Sequence, residues 1–370
     1  MSATAQLKGE VLVTIVPDTS EETSLRRRRR APLVATLALV SAVVTIIGPG
    51  ATPPAQAGLL PSCPNQPQRI HEFDPVALEA AENLAFDPGT GDIYVSLLLT
   101  GEIRKFVPNP AAPAYRDETL AFLPIGPGGL LSGVALDPAG DLSVGVASPA
   151  LGNTGLWKVA RDGRFAPFKV TALPLGALPN GVTTDRFGDV YIADSHFGVI
   201  WRVRSGGGTA EVWSADPQLK PTGPGLPLPG PNGLKFRNDV LYVSVSEHFR
   251  IYAIPVVTGP TGSRQAGAVS VFVDGLAGDD FAFDILGNMY ITTDPFNTVV
   301  RITPAGDRTE FANIFCGLDG PSAAAFGTVG ADREFLYVTN LAVFSVVKRP
   351  SLLRFHIGIP GAPLPAPGTA

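Results

Sequence analysis

The sequence has little charge and little cysteine. Only 16% of its 370 residues are charged, whereas it contains 41 glycines and 36 prolines, a composition that favours short strands joined by tight turns over long surface helices. Hydrophobic residues make up 45% of the chain, which excludes a disordered protein and provides for a large core. Two cysteines, Cys63 and Cys316, are able to pair in an oxidising compartment, but they define no disulfide framework, so their pairing stays open.

Residues 1–57 are predicted to be a signal peptide. Five arginines at 26–30 precede an apolar run at 31–48, and the small-residue motif Ala55-Gln56-Ala57 follows. Cleavage after Ala57 would release a protein that is secreted or retained in the cell envelope. The apolar run has 18 residues, so an uncleaved membrane anchor is the alternative, and the export route, general or twin-arginine, is left open.

The chain that follows the signal peptide is acidic and lacks a basic cluster. Residues 1–57 hold six basic and four acidic side chains, so their removal changes the formal net charge from −5 to −7. Such a chain is not expected to bind nucleic acid. We expect a small-molecule ligand, no membrane contact after cleavage, and a monomer.

Six segments of the remaining chain repeat one pattern: a polar residue, a short apolar strand, a turn at Gly or Asp, and a second alternating strand. Two of them read PNGVTTDRFGDVYIADS, from Pro179, and PNGLKFRNDVLYVSVS, from Pro231. Successive repeats start 50, 48, 52, 47 and 43 residues apart, and third strands such as VIWRVR and TVVRIT follow. Four short antiparallel strands at this period are typical of a β-propeller blade.

The repeats therefore predict an all-β fold, a six-bladed β-propeller over residues 68–359, with a β-sandwich or a parallel β-helix as the weaker alternative. The sixth repeat lacks its last strand, and the run QRIHEF near residue 68 belongs to no other repeat. An N-terminal strand that completes the last blade would close the ring and leave no exposed edge. Residues 58–67 are predicted to form a short N-terminal segment, and residues 360–370 a Pro-rich disordered tail.

One polar residue of each repeat falls at the start of the inner strand, where the blades meet around the central channel. These six residues all carry oxygen: Glu82, Ser132, Asn180, Asn232, Asp279 and Ser322. Pro-Asn-Gly alone is a good turn sequence, in which Asn caps its own backbone and Gly accepts positive φ, but turn chemistry does not explain Glu82. Two carboxylates and two amide oxygens on one axis suit a hard divalent cation, above all Ca²⁺, whereas Zn²⁺ prefers His or Cys.

The order Glu, Asn in Pro-Asn-Gly, Asn in Pro-Asn-Gly, and Asp resembles that of the regucalcin, gluconolactonase and luciferin-regenerating-enzyme family of six-bladed propellers. Paraoxonases are more distant relatives of that family. The resemblance implies that Glu82, Asn180, Asn232 and Asp279 hold one divalent metal on the channel axis.

The sequence departs from the family pattern at three points. Asn83-Leu84 follow the glutamate where the family has Gly-Pro. Asp279 stands in Gly-Asp-Asp where the family has Pro-Asp-Gly, so Asp280 is a second candidate for its role. A histidine pair like that of the paraoxonases is absent, which argues against their mechanism.

The resemblance implies hydrolysis of cyclic esters. A hydrated Ca²⁺ is able to polarise a carbonyl group and bring water to it, with Asp279, or Asp280 in its place, as general base. Residues expected to contact the substrate lie in loops of the same face or at the channel mouth: His196, His248, Phe296, Asn297 and Ser132. Loops such as LPIGPGGLL are nearly uncharged, which favours a hydrophobic lactone or ester.

The competing interpretation is a non-catalytic propeller that binds a peptide or small ligand and contains a structural calcium. A lyase or synthase on the same scaffold is a third. The fold alone does not separate them, because propellers host many functions.

Overall fold

The structure, a computed structural model, describes residues 62–109, 115–137, 139–223, 228–260 and 262–364. These residues belong to one compact unit, residues 58–370, and the predicted signal peptide at 1–57 lies outside the described residues. Throughout the described ranges the fold is all-β, with 25 strands, four short 3-10 helices and no α-helix. No helix within these ranges has the length and apolarity needed to cross a membrane.

Six antiparallel sheets form the blades of a β-propeller, as the repeats predict. Blade 6 comprises the N-terminal strand β1 (Gln68–Glu72) with β23 (Pro321–Phe326), β24 (Phe335–Asn340) and β25 (Ser351–His356). Blade 1 comprises β2 (Ala81–Phe86), β3 (Ile93–Leu97), β4 (Glu102–Pro108) and β5 (Tyr115–Phe122). Blade 2 comprises β6 (Leu130–Leu136), β7 (Leu142–Ala147), β8 (Gly155–Val159) and β9 (Phe168–Ala172).

The other three blades follow the same order. Blade 3 comprises β10 (Pro179–Thr184), β11 (Val190–Asp194), β12 (Val199–Val203) and β13 (Glu211–Ser214). Blade 4 comprises β14 (Pro231–Arg237), β15 (Val240–Val245), β16 (Arg250–Thr258) and β18 (Ser270–Asp274), and the short β17 (Arg264–Ala266) pairs with the far end of β16. Blade 5 comprises β19 (Phe281–Phe283), β20 (Met289–Thr293), β21 (Thr298–Ile302) and β22 (Arg308–Ala312). The 3-10 helices are Pro217–Leu219, Ser246–His248, Ile314–Cys316 and Gly330–Glu334.

The N-terminal strand closes the ring. Strand β1 pairs antiparallel with β25, from Gln68 opposite Arg354 to Glu72 opposite Ser351. The last blade thus takes its outer strand from the start of the described chain. This arrangement confirms the predicted closure, because backbone hydrogen bonds within the last blade hold the segment that leads into the first blade.

The core lies between the blades. Six clusters of buried apolar side chains are present among the described residues, and each one spans two neighbouring blades. Alternation along each second strand turns one side chain in two toward the next blade. A tyrosine occupies the same position of the second strand in five blades: Tyr94, Tyr191, Tyr242, Tyr290 and Tyr337. These large rings fill the widening gap between blades that radiate from an axis.

The two faces of the ring are built from different loops. The mouth face, as we call it, contains the loops that enter the inner strands and the loops between second and third strands. The opposite face contains the turns between first and second strands and between third and fourth strands. Several turns there are closed by an aspartate that accepts backbone N–H groups: Asp87, Asp137, Asp185 and Asp284.

The Pro-Asn-Gly segments lie in strands, so their interpretation as turns is wrong. Both begin an inner strand, β10 or β14, and neither Gly181 nor Gly233 has a positive φ. A Cβ atom at Gly181 would lie 2.3 Å from the Asn232 carbonyl oxygen, and one at Gly233 would lie 2.6 Å from the Asp279 carbonyl oxygen. Glycine is required because the next inner strand approaches too closely for a side chain.

Cys63 and Cys316 form a disulfide, with their Cα atoms 4.7 Å apart. The N-terminal segment doubles back to reach it. Asn313 Nδ2 donates to the Ser62 carbonyl oxygen at 3.3 Å, and Asn65 Nδ2 donates to the Phe311 carbonyl oxygen at 2.6 Å. Residue 62 is therefore positioned at the outer part of the mouth face, beside the loop that follows β22.

The predicted tail begins in contact with blade 5. Ile285 N donates to the Pro360 carbonyl oxygen at 2.9 Å, and Ala362 N donates to the Phe283 carbonyl oxygen at 2.8 Å. Residues 365–370 lie outside the described part of the chain.

Candidate metal and active site

The six aligned polar residues share one structural position at the mouth end of the inner strands. In blades 1 and 6, pairing with the second strand skips Glu82 and Ser322; in blades 2, 3 and 4 it skips two residues, the first being Ser132, Asn180 and Asn232. Asp279 holds the same position just before β19, with its N–H donating to Thr292 O at 2.8 Å. Glu82 and Asn232 are buried, whereas Asn180 and Asp279 are half-buried and open to the mouth.

The two serines of this set join neighbouring blades. Ser132 Oγ donates to the Pro179 carbonyl oxygen, and Ser322 Oγ donates to the Ala81 carbonyl oxygen at 2.9 Å. Similar hydroxyl-to-carbonyl bonds span the other four junctions, from Ser96 to Ser132, Ser195 to Pro231, Ser246 to Gly278, and Thr292 to Ser322. Ser132, predicted to contact substrate, is thus buried and engaged in the ring itself.

Glu82 and Asp279 carry acidic groups that the surroundings do not neutralise. Burial raises the pKa of Glu82 to about 8, and the Asp294 and Asp280 carboxylates add to the shift. Burial also raises the pKa of Asp279 well above its ordinary value, as do Glu82, Asp294 and Asp280, whereas a hydrogen bond from Asn232 opposes the rise. Among the described residues, no lysine or arginine forms an ion pair with either carboxylate.

The two asparagines are held by their amide nitrogens. Asn180 Nδ2 donates to Ser195 Oγ at 3.2 Å, and Asn232 Nδ2 donates to Ser246 Oγ at 3.2 Å. Each serine hydroxyl in turn donates its hydrogen to a backbone carbonyl of the next blade, so its oxygen is left as the acceptor for the asparagine N–H. The amide oxygens are therefore the atoms that remain for a cation.

Asp280 has different surroundings from Asp279. Lys235 Nζ lies 2.7 and 2.6 Å from its two carboxylate oxygens, and Asn83 Nδ2 donates to it at 3.3 Å. Asp280 is thus held in a buried ion pair that bridges the inner strands of blades 4, 5 and 1. Of the two candidates for general base, Asp279 is the one without a cationic partner among the described side chains.

Sequence reasoning missed Asp294, a fourth carboxylate near the site, beside Glu82, Asp279 and Asp280. It is 9% exposed, and its Oδ1 atom has no hydrogen-bond partner in the described structure. Burial raises its pKa to about 7, with a contribution from Asp319. Asp294 follows β20 as Ser195 follows β11 and Ser246 follows β15. Alignment of the ends of the second strands, in addition to the starts of the first, would have found it.

The predicted substrate-contacting loop residues all lie on the mouth face but differ in role. His196 is exposed, with its Nδ1 atom 3.0 Å from the Gly176 carbonyl oxygen. His248 is half-buried against Tyr252, and Phe296 is 52% exposed. Asn297 adopts a left-handed backbone and accepts a hydrogen bond from Gly320 N at 2.6 Å, so it links two loops. His196, His248 and Phe296 remain accessible for a ligand.

The donor set at the mouth fits a hard divalent cation. Glu82 and Asp279 contribute carboxyl groups, and Asn180 and Asn232 contribute amide oxygens. The raised pKa of both acids shows that their surroundings do not stabilise the charged carboxylates, which a bound cation would do. Within the part of the chain that the structure describes, no group of three or more His, Cys, Asp or Glu side chains is placed to hold a metal ion. Any cation site here therefore depends on the two amides as well as on the two carboxylates.

A comparison with protein families and solved structures places this geometry in context. The family model described as "SMP-30/Gluconolactonase/LRE-like region" matches residues 135–342 of this chain. The matched range includes Asn180, Asn232 and Asp279 but not Glu82. No curated protein matches the chain.

The solved structures show the same fold at low identity. A calcium-binding regucalcin from Agrobacterium tumefaciens is 17% identical and has a TM-score of 0.61, covering 83% of this chain and 99% of its own. A luciferin-regenerating enzyme is 15% identical and has a TM-score of 0.57, and the match covers 81% of this chain and 99% of the enzyme's chain. A gluconolactonase from Xanthomonas campestris is 16% identical and has a TM-score of 0.55, and the match covers 81% of this chain and 97% of the gluconolactonase chain. With its six closed blades and more than half of its length matched, the chain belongs to the SMP-30/gluconolactonase/LRE-like family.

Proposed function

We propose that the protein is an exported, divalent-metal-dependent hydrolase of the lactonase or carboxylic-ester hydrolase type. The observation that carries this proposal is the pair of unpaired carboxylates, Glu82 and Asp279, placed in register with two asparagine amides at the channel mouth. The gluconolactonases and the calcium-binding regucalcin of the same fold support the choice of reaction and of metal.

Glu82, Asn180, Asn232 and Asp279 would hold Ca²⁺, or another divalent cation. Such a cation, when bound, supplies Lewis-acid polarisation of an ester carbonyl and lowers the pKa of a nearby water. The two carboxylates compensate its charge, and the amides, fixed by Ser195 and Ser246, supply neutral oxygens.

Asp279 acts as the general base. It is half-buried and open to the mouth, and its raised pKa brings its proton affinity closer to that needed to accept a proton from water near neutral pH. Asn232 donates a hydrogen bond to its carboxylate and so orients it. Lys235 Nζ contacts both carboxylate oxygens of the adjacent Asp280, which limits Asp280 to a supporting role.

The substrate is a hydrophobic lactone or ester. Loops 123–129 and 173–178, which enter the inner strands of blades 2 and 3, contain no charged residue. Phe296 and Phe249 are exposed on the same face with their rings 6.1 Å apart. An apolar approach of this kind favours an acyl or aryl group over a sugar acid.

Export is supported by the signal-like segment at 1–57 and by the disulfide, since disulfides persist in oxidising compartments. Extracellular calcium would then be available to the site. The closed ring leaves no inner edge for strand pairing, so we propose that the protein acts as a monomer.

The test is a panel of lactones and esters assayed with and without a chelator, on the parent chain and on Asp279→Ala and Asp280→Ala. We expect chelator-sensitive hydrolysis that Asp279→Ala abolishes and that Asp280→Ala reduces less. Tight calcium binding without turnover of any ester would instead identify a binding module with a structural metal. Equal turnover of a polar sugar lactone and a long-chain lactone would refute the hydrophobic substrate.

A further inference from the structure

The mouth face exposes a large apolar side chain on every blade. In the loop between the second and third strands these side chains are 37% to 89% exposed: Leu99, Leu151, Phe197, Phe249, Phe296 and Phe344. Solvated loop tips usually carry polar residues, and a single exposed leucine would need no explanation. An exposed apolar side chain at the same loop of all six blades does need an explanation.

Other loops of this face add to the ring of apolar tips. Leu175 precedes blade 3, Ile314 and Phe315 precede blade 6, and Val346 and Val347 extend the last loop; all are more than half exposed. The turns of the opposite face carry fewer such residues in the described chain, among them Phe187, Ile285 and Leu286. We call eleven mouth-face residues the apolar rim: the six loop tips together with Leu175, Ile314, Phe315, Val346 and Val347.

The apolar rim surrounds the channel mouth instead of forming one cleft. A peptide or a small partner would contact one or two neighbouring blades. Only an extended surface reaches tips that belong to six blades, and a lipid bilayer is such a surface. Loops 98–101, 123–129, 148–154 and 173–178 contain no charged residue, so this side of the rim would desolvate little charge on contact. Glu247, Lys348 and Arg349 flank the rim residues of blades 4 and 6, where their long side chains can extend to the headgroup region.

The position of the first described residues also favours a lipid bilayer as the partner of the apolar rim. The disulfide to Cys316 fixes Cys63, and Ser62 is hydrogen-bonded to Asn313, directly before Ile314 and Phe315 of the apolar rim. The apolar run at 31–48 ends 14 positions before Ser62. Fourteen residues span at most about 50 Å when extended, so a bilayer that holds this run lies within reach of the mouth face.

We propose that the mouth face docks on a lipid bilayer through the apolar rim, with the run at 31–48 as its anchor. This inference takes the uncleaved anchor in place of cleavage after Ala57 and departs from the expectation of no membrane contact. It does not require that the protein be a hydrolase. Because the eleven rim residues are apolar and only Lys348 and Arg349 adjoin them as exposed basic side chains, apolar contact provides most of the binding, and salt and anionic lipid change it little.

The test uses the full chain reconstituted with phosphatidylcholine vesicles, in which part of the lipid carries bromine on its acyl chains as a quencher. A tryptophan is introduced on the rim by Phe296→Trp and, as the matched control, on the opposite face by Phe187→Trp. Both parent side chains are exposed aromatics in loops. Emission added by each substitution is measured against the parent chain, which has three tryptophans of its own.

We expect brominated lipid to quench the added emission of Phe296→Trp and to leave that of Phe187→Trp unchanged, at low and high salt alike. Adding Phe249→Ser, Phe344→Ser and Val346→Ser to Phe296→Trp should remove the quenching while the anchor still holds the chain on the vesicle. Quenching of neither probe, or of both equally, overturns the proposal. It is also overturned if the Phe296→Trp emission is already blue-shifted without vesicles and the chain sediments as a dimer, because a second copy then covers the rim.

Discussion

The mouth face and the opposite face use carboxylates in contrasting ways. On the opposite face, Asp87 accepts the N–H groups of Gly89 and Thr90 at 2.8 and 3.1 Å and pairs with Arg161 at 2.5 Å. Burial alone would raise its pKa, but these donors lower it below its ordinary value. On the mouth face, burial and mutual repulsion raise the pKa of Glu82 and Asp279.

This difference separates residues that stabilise the fold from residues that we propose bind a ligand. A buried carboxylate with matched donors favours the folded state, whereas an unmatched one opposes it and persists at functional sites. The repeat supplies both kinds from equivalent strands, because every blade has one end of its inner strand on each face. The apolar rim follows the same division, since exposed hydrophobic side chains concentrate where the unmatched carboxylates are.

The sharpest test compares one aspartate of each face. Asp279→Asn should lower kcat/KM for the lactone or ester by about 10²- to 10⁴-fold, since it removes the general base, while Tm is kept or raised because repulsion with Glu82 is relieved. Asp284→Asn is the control: Asp284 is buried and accepts the N–H of Asn288 at 2.9 Å, so its loss should lower Tm and leave specific activity unchanged. Kinetics and thermal unfolding of purified variants measure both effects, and the contrast fails if Asp284→Asn inactivates a folded protein equally.

The second test concerns the close approach of inner strands at the mouth. Gly233→Ala would place a Cβ atom 2.6 Å from the Asp279 carbonyl oxygen, so we expect a loss of about 3 kcal/mol in the free energy of unfolding. Gly89→Ala, in a turn of the opposite face, meets its nearest atom at 3.4 Å and should change stability by less than about 0.5 kcal/mol. Denaturant unfolding gives both values. A tolerated Gly233→Ala would show that the inner strands move apart easily.

The third test uses pH. The pKa of Glu82 rises from 4.5 to about 8, and that of Asp294 rises from 3.8 to about 7, so between about pH 4 and 8 the folded state binds more protons than the unfolded state. Stability contributed by these groups is therefore present at low pH and is lost as pH rises through their folded pKa values. Asp87, with a lowered pKa, has the opposite sign: its contribution is present above its ordinary pKa and is lost on acidification below it.

We expect the Tm of the chelated protein to fall from pH 5 to pH 8 and calcium to restore it, with the larger gain at pH 8. Scanning calorimetry at several pH values measures this. Glu82→Gln should flatten the pH dependence, and an unchanged slope in that variant would assign the effect to other groups.

The smallest expected effect comes from a matched pair of hydroxyl groups between blades. Ser195 Oγ donates to Pro231 O at 2.6 Å on the mouth face, and Thr328 Oγ1 donates to Asp87 O at 2.8 Å on the opposite face. Ser195→Ala and Thr328→Val should each cost about 1 kcal/mol of stability. Since Ser195 also holds the Asn180 amide, only Ser195→Ala should weaken calcium binding, by about tenfold, as calorimetric titration would show. Equal calcium affinity in both variants would remove Asn180 from the site.

Local pattern was enough to predict the propeller. The alternation of apolar residues and the turns at Gly or Asp each lie within a few residues of sequence and report backbone geometry directly, and their recurrence every 43 to 52 residues gives the number of blades. The alignment of Glu82, Asn180, Asn232 and Asp279 followed from that period, and the structure places them at one strand position. Their role as metal ligands stays a prediction.

The surroundings of those residues were beyond the reach of local pattern. Asn83 and Asp280 are 197 residues apart, and Asp280 accepts hydrogen bonds from both Asn83 and Lys235. Asp294 looked like an ordinary residue of the sequence Asp-Pro-Phe until its position near Asp319 and the mouth carboxylates was known. The glycines of Pro-Asn-Gly were interpreted as turn residues because the local sequence does not indicate that another strand lies so close to them.

By itself the sequence determined the number of blades, the closing strand and the register of the polar residues, since backbone geometry follows from local periodicity. Only the tertiary structure decided which aspartates are paired and which remain uncompensated, and that Cys63 reaches Cys316. The physical reason is that electrostatic and covalent partners are selected by distance and burial, and both depend on how the six blades pack around the axis.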